Sequence, residues 1–81
     1  MKVIKRDGRH ADYERNKIFI AIQKANESVD SHDRIDDDQI FNIIASIEAR
    51  GDEVMPVETI QDYIEQKLME IKKYNLAKAY I

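Results

Sequence analysis

The apolar positions of this chain fall into runs of helical spacing, preceded by a short extended pair. Ile18, Ala21, Ile22 and Ala25 recur at i, i+3, i+4 and i+7, which predicts an amphipathic helix over residues 15–27. Phe19 and Ile20 widen its apolar face, so this helix is expected to make contacts on more than one side. Asn26 to Arg34 is rich in turn formers, has no period, and reads as a surface loop. Asp36 followed by Gln39 has the spacing of a capping box, and Ile40, Ile43, Ile44 and Ile47 form the stripe of a second helix. Gly51 is placed to end that helix in a left-handed conformation. Pro56 suits a helix start, and Val57, Ile60, Ile64, Leu68 and Ile71 mark a third helix. Lys72-Lys73 are expected in its last turn, where cations complement the helix dipole. A fourth helical segment, Tyr74 to Ile81, sets Leu76 and Tyr80 on one face and stops without a capping residue. Ile81 is therefore expected to be the edge of an excised N-terminal fragment of a larger chain.

The extended pair surrounds Asp7-Gly8. Val3-Ile4 enter the turn and Tyr13 ends the return arm, a strong hairpin pattern, because Gly and less readily Asp tolerate the positive φ of a tight primed turn. Glu53-Val54-Met55 could add a short third strand. The predicted fold class is α+β: about four helices in a small bundle, capped by the N-terminal hairpin, in a single domain over residues 1–81.

Charge changes this picture at one place. The net charge is −3, but Lys2, Lys5, Arg6, Arg9, Arg15 and Lys17 outweigh Asp7, Asp12 and Glu14 at the start, whereas Asp30, Asp33, Asp36, Asp37 and Asp38 make the middle acidic. Lys5, Arg6 and Arg9 cluster at one end of the hairpin, and Lys17 can approach them from the first helix. A compact cationic cluster beside free backbone N–H groups is what a polyphosphate requires. The overall acidity and the scarcity of aromatic residues on the basic arm argue against nucleic acid as the partner.

Taken together, Val3-Ile4-Lys5-Arg6-Asp7-Gly8-Arg9, Tyr13, Lys17-Ile18, Val57-Glu58-Thr59-Ile60-Gln61-Asp62 and the stretch from Tyr74 to Ile81 resemble the ATP-cone family in order and spacing across the whole chain. The start and end look most like the N-terminal ATP-cone of anaerobic, class III, ribonucleoside-triphosphate reductases. The resemblance implies a nucleotide lying between sheet and helices at an allosteric site. There ATP favours the active reductase and dATP the inhibited one, so that the ATP:dATP ratio controls overall activity. It implies ATP or dATP with Mg²⁺ as ligand, the parent's catalytic domain as partner, and nucleotide-dependent self-association. A repressor of reductase genes also carries such a domain behind a zinc ribbon. No cysteine precedes the hairpin here, which disfavours that host. A plain helical interaction module with an incidental basic tip is the third reading.

Carried over residue by residue, the resemblance places Lys5, Arg6 and Lys17 on phosphates or ribose, with Arg9 in the same cluster. Val3 would offer its backbone to the adenine edge and Ile18 would pack on the base; both suit a core equally well. Val57 and Gln61 lie one helical turn apart on one face. Aerobic members have Thr and His there, in contact with the ligand. Ala11 replaces an acidic residue that in some members reads the adenine amino group, so Glu14 or backbone near Tyr13 would substitute.

No catalytic chemistry emerges. The absence of cysteine excludes disulfides, thiolate metal sites and a cysteine nucleophile, and suits a reducing cytoplasm. No apolar run reaches membrane-spanning length, and Met1-Lys2-Val3-Ile4 lacks a signal peptide's hydrophobic region. His10 and His32 have no partner at metal-ligand spacing and read as surface residues, and Asp36-Asp37-Asp38 lacks the Gly and distal Glu of a calcium loop. There is no phosphate-binding Gly-x-x-x-x-Gly-Lys motif, and no base or water-orienting group for hydrolysis.

Overall fold

Three short strands and four helices make up the chain in the computed structural model, which describes residues Met1–Ile81. Strand β1 (Lys2–Ile4) is central, antiparallel to β2 (His10–Asp12) on one side and parallel to β3 (Val54–Pro56) on the other. Val3 is the partner of both Ala11 and Met55, so these three side chains share one face of the sheet. Met55 is buried in the core, which identifies that face as the one turned to the helices. The expected third strand is present, one residue later than its apolar pattern placed it. Pro56 ends it on a sheet edge, where its missing N–H breaks no ladder.

The hairpin turn is not the tight primed type. Gly8 donates its N–H to Lys5 O at 2.9 Å, Lys5 donates to Arg9 O at 2.8 Å, and Gly8 alone has positive φ, at 86°. This is a three-residue loop in which an ordinary turn over Arg6-Asp7 is followed by a left-handed glycine. Asp7 stays in the common region because its carboxylate accepts from the Arg9 backbone N–H at 3.1 Å and from Arg9 Nε at 2.6 Å.

Helix α1 (Arg15–Glu27) has the bounds expected from its apolar period. Near its end the Asn26 amide donates to Ile35 O at 2.9 Å and accepts from Ile35 N–H at 3.0 Å, clamping the returning chain beside the buried Ile35. A single 3-10 turn, Ser31–Asp33, occupies the rest of the connection. Helix α2 (Asp37–Ala49) opens with the expected capping box, Asp36 accepting from Gln39 N–H at 2.8 Å and Gln39 accepting from Asp36 N–H at 2.9 Å. Asp36→Ala removes one acceptor and unseats the other, so a loss of about 0.5–2 kcal/mol is expected in urea denaturation. Gly51 follows α2 with φ 71°, as its position predicts.

Helix α3 (Val57–Glu70) stops before Ile71, which is 44% exposed and outside the core. Lys72 and Lys73 are likewise not in its last turn. Lys72 has φ 64° and donates to Met69 O at 2.9 Å, while Lys73 donates to Leu68 O at 2.9 Å. That pair of bonds is a Schellman motif with lysine where glycine is usual. It reverses the chain into α4 (Tyr74–Tyr80), which packs on both α3 and α1. Lys73 Nζ donates to His32 O at 2.8 Å, tying the 3-10 turn to this joint.

All thirteen buried residues are apolar, eight of them isoleucine, and no buried polar side chain lacks a partner. The core therefore carries no chemistry. Function has to lie where polar groups meet a concave surface.

Candidate functional site

Such a surface opens between the sheet and the helices, as a cleft of about 230 Å³. Val3, Lys5, Ala11 and Asp12 form the sheet wall; Tyr13, Glu14, Lys17, Ile18 and Ala21 come from the start of α1 and the residues before it. The first turns of α3 add Val57, Ile60 and Gln61, and α4 adds Tyr80. The floor is apolar and the charges stand at the sides, the arrangement of a site that sandwiches a flat group and holds a polar tail.

Of the nine residues singled out from sequence, Val3, Lys5, Glu14, Lys17, Ile18, Val57 and Gln61 line this cleft. Arg6 does not line it but crosses its rim, donating from Nη2 to Gln61 Oε1 at 2.9 Å and lying 3.8 Å from Glu58. Arg9 is not brought to the cleft; it is held within the turn by Asp7. Sequence reasoning missed Asp12, Ala21, Ile60 and Tyr80 as lining residues. Asp12 reads as one charge of the hairpin and the other three as ordinary helix-face apolar positions, which the docking of α4 on α1 and α3 gathers. Tyr80 is thus a cleft residue rather than an exposed one, and burial pushes its phenol up to about 12.

The cleft's charged groups differ in how far they are engaged. Lys17 Nζ pairs with Glu14 at 2.9 Å, and Asp12 pairs with Lys2, whose hydrogen bond and charge hold the Asp12 carboxyl below its ordinary range. Lys5 has no carboxylate oxygen within 4.0 Å and is the unneutralised cation of the wall. An arriving anion meets Lys5 directly, but has to draw Lys17 and Arg6 from partners they already hold. Tyr13 donates its hydroxyl to Glu48 at 2.8 Å; burial first, and then Glu48, keep this phenol well above the usual tyrosine range.

One expectation about the histidines is corrected. The 3-10 turn brings Asp30, His32 and Asp33 together, their ligating atoms within 4.8 Å of one another. Asp33 also accepts from Asn75 at 3.2 Å, so the group forms part of the joint with α4, and none of the three residues lines the cleft. No helix is long and apolar enough to cross a membrane.

Comparison with known proteins matches residues 1–81 to the ATP cone domain family. One relative is the anaerobic ribonucleoside-triphosphate reductase of Haemophilus influenzae, 36% identical over 80 residues that cover 98% of this chain and 11% of the reductase. The chain thus spans about a tenth of that relative's length. The chain belongs to the ATP-cone family, and its fold is the helical bundle with a small sheet that the sequence resemblance implied. It is a regulatory nucleotide-sensing domain and not itself a catalytic one.

Proposed function

We propose that this ATP-cone domain senses the ATP:dATP ratio for a ribonucleotide reductase and sets that enzyme's overall activity. The observation that carries the reading is the convergence of Lys5, Lys17 and the rim residue Arg6 on one cleft whose floor is apolar. Adenine lies on that floor against Ile18, with the backbone of Val3 at its edge. The triphosphate points to Lys5, and Arg6 and Lys17 exchange carboxylate or amide partners for phosphate oxygens. Gln61, released by Arg6, and Val57 face the sugar. Mg²⁺ arrives on the triphosphate's own oxygens. The carboxylates of Asp12 and Glu14 are already engaged by Lys2 and Lys17, so the wall offers no uncommitted one to a metal. The partner is the catalytic domain of the parent reductase in the cytoplasm, and the domain's effect is a shift between two assemblies with different nucleotide affinity.

Calorimetric titration with ATP, dATP and GTP in the presence of Mg²⁺ tests the reading. Saturable binding of both adenine nucleotides, with GTP weaker, is expected. Equal affinity for GTP and ATP, or heat from none of them, would sink it.

A further inference from the structure

The cleft is open to solvent and small for a nucleotide: its 230 Å³ falls below the roughly 300 Å³ at which ligand pockets usually begin, so a ligand seated in it presses on its walls. The walls are not equivalent in what they would disturb. Gln61, Asp12 and Glu14 are bonded to the hairpin or to their own helix, and their movement stays local. Tyr13 differs: its hydroxyl is bonded to Glu48 on α2, a helix that contributes no residue to the cleft.

From there the contacts continue outward. The Glu48 oxygen that accepts from Tyr13 also lies 3.2 Å from Arg15 Nε, and the second oxygen is 3.3 Å from Arg15 Nη2. The Arg15 guanidinium stands over the Phe41 ring, 5.9 Å from its centroid. Phe41, 45% exposed, stacks on Phe19 with centroids 4.9 Å apart and planes at 28°. The geometry points to a relay in which Glu48, through Tyr13 and Arg15, carries occupancy of the cleft to the Phe19–Phe41 stack on the outer side of α1 and α2. Two features suit it to that role. One carboxylate serves both the phenol and the guanidinium, so a phenol that moves leaves Arg15 as the carboxylate's sole partner and re-aims it. The guanidinium's opposite engagement is with an aromatic face, which tolerates sliding where a second ion pair would not. The relay rests on the nucleotide reading of the cleft.

NMR of this 81-residue chain titrated with Mg-ATP tests it. In the unaltered chain the Val3 and Lys17 amides, the Arg15 Nε–H and the Phe41 ring signals should all move with one midpoint. Glu48→Ala keeps a strong helix former on α2 and removes no cleft-lining side chain, while it frees the Tyr13 hydroxyl from its partner. In that variant Val3 and Lys17 should still respond while Phe41 falls silent, and Glu48→Gln, which retains an oxygen for the phenol, should restore part of the Phe41 response. A Phe41 response that survives Glu48→Ala overturns the relay. So does one absent from the unaltered chain while Val3 and Lys17 move. If Val3 and Lys17 themselves do not respond, the nucleotide reading has failed and the relay falls with it.

Discussion

Replacing Ile64 by alanine will cost this domain about 2–5 kcal/mol of stability, the range for emptying a fully buried aliphatic site. Ile64 is 0% exposed at the middle of the stripe Ile60, Ile64 and Leu68, on the helix that packs against α2, α4 and β3. A void there opens within the cluster of buried apolar side chains, and close-packed interiors let neighbours fill little of it. Folded domains hold about 0.05–0.15 kcal/mol per residue, so the loss takes a large share of what this chain has. The midpoint of thermal unfolding should fall by about 10 °C or more. Ile71→Ala is the matched control: it continues the same heptad-like spacing but lies beyond the helix, 44% exposed, and should change stability by less than about 0.5 kcal/mol. Urea denaturation followed by circular dichroism compares the two. Equal losses would mean that the helix runs through Ile71 after all.

That pair also marks where the sequence ceases to be sufficient. The isoleucine stripes of α1, α2 and α3 are legible because burial of one helical face imposes the period directly. Asp36-x-x-Gln39 is legible because capping is a contact within four residues. Ile71 obeys the period yet is excluded, since the Schellman bonds of Lys72 and Lys73 end the helix one residue earlier. A left-handed lysine has no sequence signature of its own. Ile35 and Asn26 were missed for a different reason: the clamp joins residues nine apart, and neither belongs to a periodic run.

The site divides in the same way. Lys5, Lys17, Val57 and Gln61 are visible from spacing and resemblance together, while Arg9 sits in the same basic run as Lys5 but is claimed by Asp7 across the turn. Composition cannot separate those two cations; the loop's geometry does. Tyr13 and Glu48 lie 35 residues apart, and their bond exists only because α2 packs beside α1.

The distinction among cations leads to the sharpest expectation for the site. Lys5→Ala should weaken ATP binding by about ten- to a hundredfold, the equivalent of roughly 1.5–3 kcal/mol for a charge-assisted contact. On the proposed reading Lys5 would give its whole charge to the ligand, since no carboxylate has to be displaced first. Arg6→Ala should cost less. Its guanidinium gives up Gln61 and its approach to Glu58 before it can reach a phosphate, and the loss of that bond offsets part of the gain. Both side chains are exposed on the turn, so folding stability should move by less than about 0.5 kcal/mol, which separates a binding defect from a folding one. The Lys5 effect should also shrink as salt is raised, because an exposed cation is screened within about 10 Å at 0.1 M ionic strength. Titration calorimetry at two salt concentrations reads all of this. Unchanged ATP affinity in Lys5→Ala would place the phosphates elsewhere on the domain, whatever the family, and an Arg6→Ala loss larger than that of Lys5→Ala would show that the rim arginine, not the unpaired lysine, is the principal anchor.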